Sequence, residues 1–189
     1  MTAARDDSAS LRLAGVVLAA GQSARLGQPK QLVKYGGQSL LLRVVTQALA
    51  VCNAGVVVVT GAMASSVERG LAQLPRQVDE LSIVHNPEWR LGMGSSIACG
   101  VRALFTGGSG GPDGVLMLLC DQPDITRGEL VALVNLWQTD SQRAAAAHYN
   151  AAFGVPAIFP QGYRAALEQL TGEVGARRLL AAATGGLKL

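Results

Sequence analysis

The chain of 189 residues is 49% hydrophobic and 15% charged, and its 16 basic and 13 acidic side chains give a net charge of +3. A chain of this length buries enough surface to fold without disulfide or metal support, and its hydrophobic fraction excludes disorder over most of the sequence. The basic residues are scattered rather than clustered, so we expect no nucleic-acid partner, whereas a small anionic ligand is compatible with the charge.

The cysteines and the apolar runs indicate where such a protein works. Cys52, Cys99 and Cys120 lie far apart and form no C-x-x-C pair, so neither a zinc site nor a disulfide framework is predicted. No apolar run approaches the ~18 residues that a membrane helix needs, so we expect no membrane partner. Asp6 and Asp7 are unlike the basic start of a secretory signal. We therefore expect a cytoplasmic protein with reduced thiols.

The predicted elements alternate between strand and helix. Residues 1–10 are polar and predicted to be disordered, and residues 11–189 are expected to form a single domain. Strands are predicted at 13–19, 55–60, 81–85, 114–120, 144–149 and 155–159, and residues 106–113 are predicted to be a loop. Helices are predicted at 39–51 and 63–74, from Ser95 or Ser96 to 105, from a capping box at Thr126 and Glu129 to 138, and at 161–170 and 174–183.

Continuous apolar strands that alternate with helices predict parallel β-α-β units. The expected fold class is therefore α/β, a three-layer α/β/α arrangement with helices on both faces of a mostly parallel sheet. In such sheets ligands bind outside the carboxyl ends of the strands. The residues that follow each predicted strand are accordingly the first candidates for a functional site.

The segment A-A-G-Q-S-A-R-L-G-Q-P-K-Q, residues 19–31, follows the first predicted strand. Ser23 breaks the dinucleotide fingerprint G-x-G-x-x-G, and no Ser or Thr follows Lys30 as a P-loop requires. Gly21 lets backbone N–H groups approach an anion closely, Arg25 offers a planar fork of donors, and Lys30 offers a compact charge. These are the parts of a phosphate-binding loop, although an ordinary solvated turn accounts for the same residues.

A second candidate, Asp121, comes directly after the predicted strand 114–120. Mg²⁺ takes one or two carboxylates and keeps water and phosphate oxygens as its other ligands, so Asp121 is well placed to hold it beside bound phosphates. The alternative for Asp121 is to cap a turn or a helix. Asp124, which lies just before Thr126, is favoured for that capping role.

A third candidate is N-P-E-W-R-L-G-M-G-S-S, residues 86–96, at another strand end. Its amide, hydroxyl and backbone donors suit the edge of a nucleobase or a ribose, and Trp89 is interpreted as a packing residue. His85 and His148 lack a second ligand at metal spacing. No Ser-His-Asp or Cys-His arrangement stands out, so nucleophilic catalysis is not indicated.

The stretch L-A-A-G-Q-S-A-R-L-G-Q-P-K-Q-L, residues 18–32, resembles the L-A-A-G-x-S-x-R-M-G-x-P-K signature of the molybdenum-cofactor nucleotidyltransferase family. Further pieces follow in family order, namely residues 86–96, C-D-Q-P, G-V-P-A-I-F at 154–159 and T-G-E-V-G-A-R. The resemblance runs from Val16 to Leu180. It is greatest to the molybdenum cofactor cytidylyltransferases, which make the cytosine dinucleotide form of the cofactor for xanthine-dehydrogenase-type hydroxylases.

The resemblance implies a Rossmann-like nucleotidyltransferase fold and transfer of CMP from CTP to a molybdenum-pterin substrate, with release of pyrophosphate and with Mg²⁺ or Mn²⁺ as the metal cofactor. It implies that the nucleotide is bound by Leu18, Ala19, Ala20, Gly21, Lys30, Asn86 and Ser96. Arg25 and Lys30 would hold its phosphates and act in catalysis with Asp121, while Asp121 and Glu173 would bind the metal ion. Residues 154–159 would help to form the pterin side, and a molybdenum hydroxylase would receive the product.

Two departures from the family pattern matter, and a further point concerns the base. The family usually has Asp where Glu173 stands, and its members continue into an Asp-x-Asp-Thr-Pro-like segment beyond the position of Leu189. Members that use GTP resemble L-A-G-G where this chain has L-A-A-G, and the methyl group of Ala20 would crowd a purine more than a pyrimidine, which favours CTP. Two alternatives stay open. One is a cytidylyl- or uridylyltransferase acting on a sugar or polyol phosphate, and the other is a non-catalytic nucleotide- or cofactor-binding delivery protein for a molybdenum hydroxylase.

Overall fold

The computed structural model describes residues 10–22, 30–74, 80–106, 110–149, 152–182 and 187–188. For Lys30 and for residues 187–188 it describes the backbone alone. The predicted disorder of residues 1–9 and the middle of the predicted loop, residues 107–109, lie outside these ranges.

Among the described residues, strands and helices alternate between residues 38 and 149 as the sequence predicts, whereas the strand pairs at 34–39 and 145–160 have no helix described between them. The strands are β1 (Leu13–Leu18), β2 (Lys34–Tyr35), β3 (Gln38–Ser39), β4 (Val56–Thr60), β5 (Leu81–His85), β6 (Gly114–Leu119), β7 (Ala145–Tyr149), β8 (Ala152–Pro160) and β9 (Leu187–Lys188). The α-helices are α1 (Leu40–Leu49), α2 (Ala64–Leu71), α3 (Met93–Leu104), α4 (Arg127–Thr139), α5 (Arg164–Glu168) and α6 (Arg177–Ala182). One-turn 3₁₀ helices lie at Lys30–Leu32, Trp89–Leu91 and Gln161–Tyr163.

The central sheet has seven strands in the order β5-β4-β1-β6-β8-β7-β9. Strands β5, β4, β1 and β6 are parallel, and β9 is parallel to β7, whereas β8 runs antiparallel to both of its neighbours. The chain adds β4 and then β5 on one side of β1 and returns to place β6 on the other side. This reversal leaves a crevice at the carboxyl ends of β1 and β6, where open α/β sheets bind ligands.

Helices cover both faces of the sheet, which confirms the predicted three-layer α/β/α fold with a mostly parallel sheet. Along β1, Leu13 and Val17 pack on the face covered by α1, α2 and α4, and Val16 and Leu18 pack on the face covered by α3, α5 and α6. Both faces of the strand are therefore buried, and this explains why its sequence is apolar throughout. Within the described ranges, no helix combines the length and the hydrophobicity needed to cross a bilayer.

Two predicted caps differ from the structure, and one is confirmed. Helix α3 begins a turn earlier than predicted, with Gly92 as its N-cap residue, because the hydroxyls of Ser95 and Ser96 are buried in other hydrogen bonds. Thr126 caps α4 in a complete capping box with Glu129, as the sequence predicts. The expectation that Asp124 takes the capping role is wrong, since Thr126 already satisfies the first N–H groups of the helix.

Candidate active site

A cavity of about 360 Å³ opens at the carboxyl ends of β1 and β6. Its walls come from the turn after β1, the 3₁₀ turn together with the first turn of α3, the end of β6, and two residues from elsewhere in the chain. The turn after β1 contributes Leu18, Ala20, Gly21 and Gln22, and the end of β6 contributes Leu119, Cys120 and Asp121. The 3₁₀ turn Trp89–Leu91 and the start of α3 contribute Trp89, Arg90, Gly92, Met93 and Ser96, and the two remaining residues are Gln31 and Glu173.

The cavity brings together six of the ten residues that the sequence singled out. Leu18, Ala20, Gly21, Ser96, Asp121 and Glu173 line it. Ala19 and Asn86 are buried and do not line it. Arg25 lies outside the described residues, and of Lys30 only the backbone is described.

The turn after β1 is held by Gln31, a residue whose role the sequence analysis missed. Gln31 is 2% exposed, and its Nε2 donates hydrogen bonds to the carbonyl oxygens of Ala19 at 3.0 Å and Gly21 at 2.9 Å. The backbone N–H of Ala62 donates to the carbonyl oxygen of Ala20. The carbonyl oxygens of Ala19, Ala20 and Gly21 thus all accept hydrogen bonds from within the protein. The side chain of Ala19 packs into the core on the opposite face of the sheet.

Asn86 lies behind the cavity wall rather than in the cavity. Its Nδ2 donates to the Oγ atoms of Ser95 and Ser96, both at 3.0 Å, and its Oδ1 accepts a hydrogen bond from the N–H of Glu88. Ser95 Oγ lies within hydrogen-bond distance of the carbonyl oxygens of Glu88 and Gly92. Ser96 Oγ accepts a hydrogen bond from Asn86 Nδ2, and Ser96 lines the cavity. Asn86 is thus bonded to a cavity-lining residue, Ser96, without lining the cavity itself.

Two carboxylates stand on the same cavity. Asp121 follows β6, and Glu173 belongs to a segment that packs against the start of α3. The N–H of Gly94 donates to the carbonyl oxygen of Gly172 at 2.8 Å, and a Cβ atom at position 94 would come within 2.7 Å of the backbone of Thr171. This backbone contact, which only glycine permits, carries Glu173 to the cavity wall.

The carboxylate pair suits a hard divalent cation. The described residues contain no cluster of three or more His, Cys, Asp or Glu side chains that would hold a metal ion by themselves. Mg²⁺ needs only one or two protein carboxylates when phosphates and water complete its shell, so Asp121 and Glu173 fit a metal that is held together with a nucleotide. Asp121 and Glu173 by themselves do not provide enough ligands to complete the coordination shell of such an ion.

A second cavity of about 400 Å³ adjoins the first and shares Leu18, Met93, Leu119 and Glu173 with it. Among the residues predicted for the pterin side, Gly154 and Val155 line this second cavity. Gln122 Nε2 donates to the carbonyl oxygen of Val155 at 2.9 Å, so the residue after Asp121 ties the end of β6 to β8. The predicted pterin side and the predicted metal ligands thus meet at one edge of the sheet.

Sequence reasoning also missed Arg90 and treated Trp89 as packing alone. Trp89 does pack against the core, and it also lines the first cavity. The guanidinium carbon of Arg90 lies 4.4 Å from the centre of the Trp89 ring system, and Arg90 lines the same cavity. A basic residue beside a tryptophan just after a strand end was the available signal for this pair.

The chain belongs to the MobA-like NTP transferase domain family, whose sequence profile matches residues 15–186. It is 33% identical over 170 residues to purine catabolism protein PucB of Bacillus subtilis (strain 168). The matched region covers 89% of this chain and 80% of that protein. It is 34% identical over 127 residues to a probable molybdenum cofactor guanylyltransferase of Rhodopirellula baltica, covering 67% of this chain and 56% of that protein. It is 35% identical over 113 residues to nicotine blue oxidoreductase of Paenarthrobacter nicotinovorans, covering 59% of this chain and 50% of that protein. The matched part thus spans only about half the length of these last two relatives.

Solved structures share the fold. A nucleotidyl transferase from Methanothermobacter superposes with a TM-score of 0.72 at 21% identity, over 95% of this chain and 88% of that chain. The manganese complex of Rv0371c from Mycobacterium tuberculosis superposes with a TM-score of 0.70 at 22% identity, over 94% of this chain and 87% of that chain.

Proposed function

We propose that the chain is a nucleotidyltransferase that joins CMP from CTP to the terminal phosphate of a molybdenum-pterin cofactor and releases pyrophosphate. The observation that carries this proposal is the shared cavity, which is lined both by the turn after β1 and by Asp121 at the end of β6. Family membership supports the reaction class, and the guanylyltransferase relative supports the molybdenum-cofactor substrate.

In the proposed reaction a terminal phosphate oxygen of the acceptor attacks the α-phosphorus of CTP in line. A new P–O bond forms there while the bond to the bridging oxygen of the β-phosphate breaks, and pyrophosphate leaves with that oxygen. No covalent enzyme intermediate is needed, so the chain contributes positioning and neutralisation of charge. Lys30 and Arg25 would neutralise the phosphates.

Asp121 and Glu173 would hold Mg²⁺ or Mn²⁺ beside the phosphates. When bound, the ion supplies positive charge next to the reacting phosphate oxygens. The longer side chain of Glu173, where the resembling family has Asp, places its carboxylate one methylene further from the backbone. Asp121 and Glu173 would fix the ion in the cavity that the turn after β1 also lines.

Base recognition rests on the turn after β1 and on Ser96. The methyl group of Ala20 would crowd a purine more than a pyrimidine, and it packs so closely against Gly61 that a Cβ atom there would lie only 2.9 Å from the Ala20 Cβ. The O–H of Ser96, oriented by Asn86, would donate to an acceptor atom of the base or the ribose. Leu18 and Gly21 would line the nucleotide on the same side.

The second cavity would receive the pterin. Its wall consists mainly of aliphatic side chains and methionines, such as Ile97, Met117 and Val174, with Glu173 and Arg177 as its charged residues. The aliphatic side chains offer a surface for the faces of a flat ring system, whereas a sugar or polyol phosphate would need more polar partners than this lining holds. We further propose that residues 11–189 act as one domain, that the protein is cytoplasmic, and that a molybdenum hydroxylase of the xanthine-dehydrogenase type receives the product.

The substitution of Glu173 for the usual Asp favours one second candidate, a non-catalytic protein that binds the nucleotide or the cofactor and delivers it to a hydroxylase. The decisive experiment measures pyrophosphate release from CTP, GTP and ATP with Mg²⁺ and purified molybdenum-pterin acceptor. Acceptor-dependent release that is fastest with CTP is expected. Tight CTP binding without release would instead favour the delivery role, and release mainly from GTP would contradict the choice of base.

A further inference from the structure

Arg90 is held by a contact that leaves its hydrogen-bond donors available. Its guanidinium group lies over the Trp89 ring at 4.4 Å, within the range of a cation–π interaction. A cation–π contact of this kind takes up none of the hydrogen-bond donors of the guanidinium group, whose five N–H groups lie within its plane. Among the residues that the structure describes, none accepts a hydrogen bond from Arg90 or forms an ion pair with it. The Trp89 ring therefore positions the guanidinium group of Arg90, and the N–H groups of Arg90 are available to a ligand.

The charges around the first cavity make this arginine distinctive. The lining side chains include two acids, Asp121 and Glu173, and among the described lining side chains Arg90 carries the one positive charge. Helix α3 begins beside it, and its first turn lines the same cavity through Met93 and Ser96. The positive end of the helix dipole and the guanidinium group thus favour an anion in the same space.

We propose that Arg90, positioned by Trp89, is a phosphate-binding residue of this cavity. Its in-plane N–H groups would bind phosphate oxygens, in the bidentate manner that the guanidinium fork allows. The inference rests on the proposed function, which brings two phosphate sources to this cavity. One is the polyphosphate chain of the nucleoside triphosphate, and the other is the terminal phosphate of the acceptor.

The test compares the wild-type protein with Arg90→Ala, Arg90→Lys, Trp89→Phe and Trp89→Leu by isothermal titration calorimetry with CTP, CMP and pyrophosphate in the presence of Mg²⁺. The matched control is Arg164→Ala, because Arg164 also stacks on an aromatic ring, that of Phe105 at 4.2 Å, but lines neither cavity described above. Thermal melting of each variant separates loss of binding from loss of folding.

If the polyphosphate is the ligand, Arg90→Ala should bind CTP and pyrophosphate about 10-fold more weakly, and Arg164→Ala should bind them as the wild type does. Trp89→Phe should keep most of the affinity and Trp89→Leu should lose it, since only the first retains a ring. Arg90→Lys should be intermediate, because it keeps the charge but loses the planar fork.

If the acceptor phosphate is the ligand, CTP affinity should stay unchanged in Arg90→Ala while the KM for the acceptor rises and kcat at saturation is kept. Wild-type turnover with unchanged CTP affinity and unchanged acceptor KM in Arg90→Ala would overturn the inference and leave the proposed function standing. Conversely, Arg90-dependent binding of pyrophosphate without any nucleotidyl transfer would contradict the proposed function and support the anion site.

Discussion

The side-chain amide of Gln31 donates a hydrogen bond to the carbonyl oxygen of Ala19 across the turn that follows β1, at 3.0 Å. The same nitrogen also donates to the carbonyl oxygen of Gly21, so one buried side chain holds both flanks of Ala20. The shape of this cavity wall therefore depends on a residue that lies at the far end of the turn in sequence.

Gln31→Ala should lower the free energy of unfolding by about 1–3 kcal/mol, because carbonyl groups that are turned away from water lose their donor. It should also weaken CTP binding, since the turn that lines the cavity is released. Urea denaturation and calorimetry measure the two effects. Gln73→Ala, at an exposed position, is the control. A Gln31→Ala variant as stable as this control would show that the amide does not hold the turn.

Ser95 and Ser96 should respond differently to removal of the hydroxyl. Both accept a hydrogen bond from Asn86, but only Ser96 lines the cavity. Ser95→Ala should lower the melting temperature and leave CTP affinity unchanged, whereas Ser96→Ala should weaken CTP binding about 10-fold, the effect of one lost hydrogen bond to the ligand. Equal CTP affinities in the two variants would contradict the ligand-facing role of Ser96.

The base preference should depend on the methyl group of Ala20. Removing it in Ala20→Gly opens space beside the turn, so the ratio of kcat/KM for CTP to that for GTP should fall. Steady-state pyrophosphate release with each nucleotide measures this ratio. An unchanged ratio would eliminate Ala20 as the residue that discriminates between the bases.

The turn after β1 and the end of β6 could be anticipated because each follows a buried apolar strand. Parallel strands place their carboxyl ends at one edge of a sheet, so local sequence was enough to bring Gly21 and Asp121 to the same crevice. The positions of Gln31 and Asn86 could not be anticipated in this way. Their partners are backbone carbonyls and hydroxyls that become neighbours only when the turn and helix α3 have packed.

Strand β8 shows a signal that was present but not used. The alternation of elements predicted a mostly parallel sheet, yet only residues 150–154 separate the strands predicted at 144–149 and 155–159. A parallel connection needs a crossover of a dozen or more residues, so this spacing requires an antiparallel hairpin. Arg90 is a different case, because its adjacency to Trp89 is visible in the sequence, whereas the contact of the two side chains at a cavity wall is visible only in the folded chain.

Cys52 should make the stability of the protein depend on alkaline pH. Burial raises the pKa of its thiol from 9.0 to about 12. Below pH 9 the thiol is protonated in both the folded and the unfolded chain, so it has no effect on the pH dependence there. Between pH 9 and about 12 the unfolded chain loses this proton and the folded chain keeps it, so the free energy of unfolding should fall as the pH rises.

Chemical denaturation across this range should show a steeper fall for the wild type than for Cys52→Ala, with a difference that corresponds to one proton. The comparison of slopes removes the contribution of the tyrosines and lysines, which titrate in both proteins. Parallel slopes for the two proteins would show that the thiol is not protected by burial.

The central claim is that Asp121 faces the turn after β1 across a single nucleotide cavity and supports transfer at its phosphates. Pyrophosphate release from CTP, with Mg²⁺ and the molybdenum-pterin acceptor, should be compared in the wild type, Asp121→Ala, Lys30→Ala and Asp124→Ala. The account predicts losses of ~10²-fold or more for Asp121→Ala and Lys30→Ala, the scale of one transition-state electrostatic contact, and a rate close to wild type for Asp124→Ala. Rates close to wild type in both Asp121→Ala and Lys30→Ala would contradict it.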